Sequence, residues 1–399
     1  MRIAMVSEHA SPLACIGGVD SGGQNVHVAA LATHLVRRGH QVTVFTRRDD
    51  PDLAPVVRTL DGYDVEHICA GPPTEMPKDE ILAHIPAFTR ALEQRWSAER
   101  FDIIHAHFWM SGLASTLAAP PGIPVVQTFH ALGTVKQRHQ GKRDTSPPER
   151  LAVEAQLCAR VDRVIATCSD ELTELEAMGM ARDRVDIVPC GVDVDLFCPG
   201  LAGPWRGQHL LTVGRLVERK GVADVIAALS ALPDQVDLTV AGGPARDALD
   251  VDPEVARLRQ VALDWGVADR VHFLGAIRRK AMPAVFSSSD VVVAVPWYEP
   301  FGIVPLEAMA CARPVVASAV GGMLDSVIPG ITGELVAPQD PAMLASALAP
   351  LLADSALRRA RGMSGRRWVN RRYRWERIAE LTESSYARTT ADLSLALPS

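Results

Sequence analysis

Aromatic residues make up only 5% of these 399 residues, while Ala, Val, Leu and Gly abound. That bias suits aliphatic strands buried on both faces, as in the parallel sheets of α/β proteins. No apolar run reaches the roughly 20 residues that a membrane-crossing helix needs. The cysteines (15, 69, 158, 168, 190, 198 and 311) are odd in number, scattered and without a CxxC pair. This speaks for reduced thiols in a cytoplasmic protein, and against a disulfide framework or a zinc site. The opening Met1–Ser7 is too short and polar-flanked for a signal peptide and reads as a first strand. There is no basic excess either. The net charge of −6 gives nucleic-acid binding no electrostatic support.

What the sequence does have is alternation. Short β-rich runs are Arg2–Ser7, Gln41–Thr46, Asp64–Cys69, Asp102–Ala106, Pro124–Phe129, Arg163–Cys168 and Val185–Pro189. Helical patterns such as Gly23–Arg38, Ile81–Trp96 and Asp170–Met178 separate them. Strand and helix repeated this way predict right-handed βαβ units on a parallel sheet. The pattern pauses over 191–208, which reads as a linker. A second series follows at His209–Val213, Val236–Ala241, Val271–Leu274, Asp290–Val295, Pro314–Ser318 and Glu334–Val336. The expectation is therefore two Rossmann-like doubly wound α/β domains, 1–195 and 196–372. A last helix from about 373 to 390 rejoins the first domain, with a frayed tail after Thr389.

In the second half, Glu299-Pro300-Phe301-Gly302-Ile303-Val304-Pro305-Leu306-Glu307 follows a strand and opens a helix. Free backbone N–H groups at 302–305 and the helix dipole attract a phosphate or a polar sugar edge. Carboxylates suit vicinal hydroxyls instead, so Glu299 fits sugar hydroxyls and Glu307 a ribose diol. Alternatively, both are capping or surface acids. Gly214-Arg215-Leu216-Val217-Glu218-Arg219-Lys220-Gly221 also sits after a strand, where α/β ligands bind. Arg215 and Lys220 can reach a pyrophosphate there and stabilise a departing diphosphate; the competing reading is a solvated basic turn.

In the first half, Gly17-Gly18-Val19-Asp20-Ser21-Gly22-Gly23-Gln24 is a glycine-rich strand-to-helix loop. Val19 breaks the dinucleotide fingerprint, and Gln24 stands where a Walker A lysine would be. Gly22 and Gly23 still offer bare N–H groups to an anion. His105 and His107 share one strand face, and His130 ends the next strand. A metal site or structural packing would each explain these histidines, but no nearby carboxylate completes a metal pattern.

Together these segments resemble the retaining glycosyltransferases of family 4 (GT4), which have the GT-B fold of two Rossmann-like domains facing a cleft. The resemblance spans nearly the whole chain. It implies that Arg215 and Lys220 hold the donor diphosphate. Glu299 with the backbone of Phe301, Gly302, Ile303 and Val304 would hold the donor sugar, and Glu307 the ribose. Gly22 and Gly23 face the diphosphate, and His130 lies beside the transferred sugar. The base contacts fall around Gly275–Arg278, with Ile277 among them. His130, Arg215, Lys220 and Glu299 would be the catalytic set. The leaving phosphate takes the acceptor proton and attack comes from the same face, so the protein supplies positioning and electrostatics. The donor would be a UDP-, ADP- or GDP-sugar, with no tightly bound cofactor and no metal requirement.

Ser11-Pro12-Leu13 and Asp20-x-Gly22-Gly23 look most like two branches of that family. One makes sucrose or sucrose phosphate; the other joins N-acetylglucosamine to inositol phosphate. The second branch grips its acceptor phosphate with Lys, Tyr, Thr and Arg. Here Lys78 and Arg150 match, but Phe108 and Ala131 replace the two hydroxyl donors. That forfeits about 3–6 kcal/mol, at about 1.5–3 each, so an acceptor other than inositol phosphate is expected. Asp20, Lys78, His107, Phe108, Lys136 and Arg150 are the candidate acceptor contacts. The basic run Lys136–Arg143 suggests an anionic acceptor, a closing loop or a solvated face. The partners expected are a small-molecule donor and acceptor, with no nucleic acid, no transmembrane segment and a homodimer as an option. The alternatives are a nucleotide-sugar epimerase of similar fold or a non-catalytic sugar-binding protein.

Overall fold

The computed structural model describes residues 1–14, 23–200 and 208–396, with residues 395 and 396 in backbone only. The chain forms two compact units, Met1–Cys190 with Trp375–Ser399, and Gly191–Arg374.

The first unit is built on eight strands: β1 Arg2–Val6, β2 Gln41–Arg47, β3 Val56–Arg58, β4 Asp64–Ile68, β5 Ile103–His107, β6 Val125–Thr128, β7 Arg163–Ala166 and β8 Val185–Ile187. They lie in the order β3-β4-β2-β1-β5-β6-β7-β8. All neighbours run parallel except β3, which pairs antiparallel with β4, Val57 opposite Val65. The second unit holds six parallel strands: β9 Gln208–Val213, β10 Val236–Ala241, β11 Val271–Gly275, β12 Val291–Ala294, β13 Val315–Ser318 and β14 Gly333–Val336. Their order is β11-β10-β9-β12-β13-β14. In both sheets the strand order reverses once, between β1 and β5 and between β9 and β12. The crevice outside the carboxyl ends of the strands at such a point is where α/β sheets bind ligands.

The central strands are buried on both faces, which is why they read as unbroken aliphatic runs; every residue of β5, β6, β7, β12 and β13 is buried. Three expectations need adjustment. The pattern at Ile81–Trp96 is a 3-10 turn, Lys78–His84, followed by an α-helix, Ile85–Ala98. Pro86 sits in the first turn of that helix, where its missing N–H costs nothing but bars continuation from the turn before. The stretch after Gly191 is packed rather than free: Val192 and Phe197 are buried, and Val192 N–H donates to the Tyr373 carbonyl at 2.7 Å. The last helix runs from Trp375 to Ala396 instead of fraying at Thr389. Arg163 on β7 holds it there, donating to Thr389 Oγ1 at 3.1 Å and to Asp392 Oδ2 at 2.7 Å.

Candidate functional site

In the second unit the loops after β9 and β12 meet at the switch point. Lys220 Nζ donates to Glu299 Oε2, and both side chains are largely buried. Two glycines make this approach possible. Gly221 has φ +70°, and a Cβ there would lie 2.1 Å from the Val295 carbonyl oxygen. Gly302, at φ +69°, caps the helix Ile303–Ala310 and leaves only 3.1 Å between a Cβ and Met323 Cγ. The β9 loop is tied on by Trp297 N–H donating to the Arg219 carbonyl at 2.8 Å. Burial alone would push the Glu299 carboxyl up. Lys220, Arg219 and Arg215 together outweigh it and hold Glu299 below the usual carboxylate range. Glu299 is thus a charged acceptor, set among three cations and just before a helix N-terminus. Phe301, Ile303 and Val304 follow it, half-buried, at the opening of that helix.

Glu307 lies deeper. Burial pushes its carboxyl up to about 7, against the pull of Arg279, whose Nη1 donates to Glu307 Oε1 at 2.8 Å. Ile277 packs against the apolar core beneath, between β11 and this arginine. Sequence reasoning missed Arg279 and Arg219. Arg219 had a signal in its place next to Lys220; its Cζ lies 5.1 Å from the Tyr298 ring centroid. Arg279 lies 28 residues from its partner.

The first unit places a different chemistry at its switch point. His107 Nδ1 is 2.9 Å from His130 Nε2. His105 is 2.7 Å from the Tyr386 hydroxyl and 2.9 Å from Thr128 Oγ1. His27, on the helix Gly23–Arg37, stands 5.1 Å from the His130 ring and 5.3 Å from that of Trp375. Burial lowers His27 to about 4 and His105 to about 3, and burial first, then the neighbouring imidazoles, lowers His107 and His130 well below 6.5. The four rings are therefore neutral near pH 7. In the His107–His130 contact one nitrogen donates and the other accepts. His130 and Phe108 both take left-handed backbone, φ 63° and 82°. Each costs of order 1–3 kcal/mol and recurs at ligand clamps. Gln127 Nε2 restrains Phe108 by donating to its carbonyl at 3.0 Å.

The Phe108 ring is the hub of the acceptor candidates. Lys78 Nζ is 5.8 Å from its centroid, Arg150 Cζ 5.1 Å, and the His9 ring 4.8 Å. His9 was not foreseen; its Nδ1 lies 2.7 Å from Oε1 of the buried Glu8. Arg150 is only 3% exposed and committed internally, donating to Glu154 Oε1 at 2.7 Å and to the Ala131 carbonyl at 2.5 Å. Lys136 is held by Asp144 at 2.9 Å and Ser146 at 2.8 Å. Gly23 opens the helix Gly23–Arg37, while Asp20 and Gly22 lie outside the described residues. A cavity of about 960 Å³ opens at the ends of β1, β2 and β4, with Glu8, His9, Asn25, Arg47 and His67 in its wall. Among the described residues, no group of three or more His, Cys, Asp or Glu side chains is placed to hold a metal ion, and no helix is long and apolar enough to cross a membrane.

Two Rossmann-like units, each with ligand-binding loops at its switch point, are the architecture of the GT-B class. The family profile "Glycosyltransferase Family 4" matches residues 21–196, and "Glycosyl transferases group 1" matches 206–368. The chain is 36% identical to a D-inositol 3-phosphate glycosyltransferase of Xylanimonas cellulosilytica, over 98% of this chain and 97% of that one. The structure of a sucrose-phosphate synthase from Thermosynechococcus elongatus superposes with TM-score 0.88 at 33% identity, covering 98% and 99%. The fold is shared further with HepE of Anabaena in complex with UDP-glucose, at TM-score 0.73 and 22% identity, covering 97% and 100%. The chain belongs to the family 4 glycosyltransferases and is an enzyme that uses a nucleotide-sugar donor. Nothing in these findings supports the epimerase or sugar-binding alternatives.

Proposed function

We propose that this enzyme is a retaining glycosyltransferase that moves a hexosyl or heptosyl unit from a nucleoside diphosphate to a small polar acceptor by front-face substitution. The bond from the anomeric carbon to the β-phosphate oxygen breaks, and a bond to the acceptor oxygen forms on the same face. The acceptor proton passes to the departing phosphate. The observation that carries this reading is the Lys220–Glu299 pair at the β9/β12 switch point, flanked by Arg215 and Arg219. Lys220 and Arg215 donate to the diphosphate and stabilise the charge it gains as the bond breaks. Glu299 accepts from the sugar hydroxyls, the amides of Phe301–Val304 face the same group, and Glu307 accepts from the ribose diol. With two side-chain cations on the leaving group, a chelator is expected to leave the rate unchanged.

His130 provides a neutral contact to the transferred sugar. Lys78, His107 and Phe108 belong to the acceptor side. An anionic acceptor would share Lys136 with Asp144 and Arg150 with Glu154, so its charge falls mainly to Lys78. Phe108 and Ala131 add no hydroxyl donors, which points away from inositol phosphate. The test is proton NMR of the product formed from an α-linked donor: an α linkage supports front-face retention, and a β linkage overturns it.

A further inference from the structure

We propose that Arg279 is a positioning residue for donor binding: it fixes the Glu307 carboxylate for the ribose diol of the nucleotide. The inference rests on the reading that Glu307 meets the ribose. Arg279 begins a short 3-10 turn, Arg279–Ala281, just past β11, while Glu307 lies within the helix Ile303–Ala310. The 2.8 Å contact between them bridges the segment after β11 and the helix after β12. The guanidinium is held in place by the buried Phe197 ring, 5.0 Å from Cζ. Glu307 is 8% exposed and Arg279 27%, so the acid is sealed in while the base closes the solvent side.

The chemistry needs this arrangement. A ribose diol presents two donors, and a carboxylate accepts both, whereas a protonated carboxyl spends one oxygen as a donor. Burial favours the protonated form, and Arg279 is the cation that opposes it. The other titratable group facing Glu307 is the Cys311 thiol, pushed up to about 12 by burial first and by Glu307 second, and so neutral. Arg279 therefore shifts Glu307 toward the carboxylate form against its burial, and its 2.8 Å contact sets which oxygen is left for the ligand.

The test measures binding of UDP, ADP or GDP, whichever binds, and of its 2′,3′-dideoxy analogue, to the wild type, Arg279→Gln, Arg279→Lys and Glu307→Gln. Arg279→Gln should weaken the ribose-bearing diphosphate by about 10-fold or more, the loss of one charge-assisted contact. It should leave affinity for the dideoxy analogue within about twofold, and Arg279→Lys should recover part of the loss. The inflection in affinity against pH should move upward in Arg279→Gln, because Glu307 then ionises later. A general folding defect would weaken both ligands equally and would overturn the proposal. If Glu307→Gln weakens the ribose-bearing ligand and Arg279→Gln does not, Arg279 has no positioning role. If neither variant discriminates the two ligands, it is the ribose reading of Glu307 that fails.

Discussion

The two units share a strand order around the point where the order reverses, yet they set opposite chemistry there. In the second unit the loops after β9 and β12 gather ions: Lys220 on Glu299, with Arg215 and Arg219 near enough to hold that carboxylate charged. In the first unit the ends of β5 and β6, with the helix Gly23–Arg37, gather four neutral imidazoles, buried so deeply that protonation is suppressed. The same scaffold thus carries a charged cluster in one unit and a neutral one in the other. Which one it carries depends on a few residues.

The sharpest way to break the comparison is to remove an ion from the second unit. Lys220→Ala and Glu299→Gln should each lower kcat by on the order of 10²–10³, as expected for one transition-state contact, with an unchanged circular dichroism spectrum. Near-normal kinetics in both would mean that the ion pair is structural.

The histidines give a test of stability instead. Their folded-state pKa values lie below the unfolded value of 6.5. Their stabilisation is therefore complete above pH 6.5 and is lost as pH falls toward 4 for His27 and 3 for His105. Each contributes a slope of about 1.4 kcal/mol per pH unit in that window. Denaturant unfolding at pH 7 and pH 5 should show the loss, and His27→Gln should remove one histidine's share. Glu307 in the second unit works in the opposite sense, since its raised pKa gives stability below 4.5 that is lost as pH rises through about 7. An unchanged slope in His27→Gln would contradict the neutral cluster.

The smallest effect concerns the acceptor. Phe108→Tyr adds a hydroxyl on the ring that Lys78 approaches, and Ala131→Thr adds one on the residue whose carbonyl Arg150 holds. Each should improve use of inositol 3-phosphate by about tenfold, the worth of one hydrogen bond to a charged group, read as a fall in acceptor KM at constant kcat. No response would show that the phosphate sits elsewhere.

Much of this was legible from the sequence, for physical reasons. Strands buried on both faces must be aliphatic, so the central runs of both sheets announced themselves. β3 did not: Val56–Arg58 is three residues long at an antiparallel edge, too short for any period to register. Glu299, Glu307, Arg215 and Lys220 stood out because loop and helix-start chemistry is local in the chain. Their partners were not local. Arg279 reaches Glu307 across 28 residues, and Arg150 is tied to the carbonyl of Ala131, 19 residues away. His27 joins the histidine cluster only through the packing of a helix on the sheet. The last helix persists past Thr389 because Arg163, more than 220 residues earlier, holds it.

The most direct measurement is the thermal stability of the wild type, Lys220→Ala and His130→Ala against UDP, ADP and GDP. A ligand at about 100 times its dissociation constant adds about 2.7 kcal/mol to the folded state. If the charged site of the second unit holds the diphosphate, one nucleotide will raise the Tm of the wild type and of His130→Ala, and Lys220→Ala will lose most of that shift. A full shift retained in Lys220→Ala, or no shift with any of the three, would contradict it.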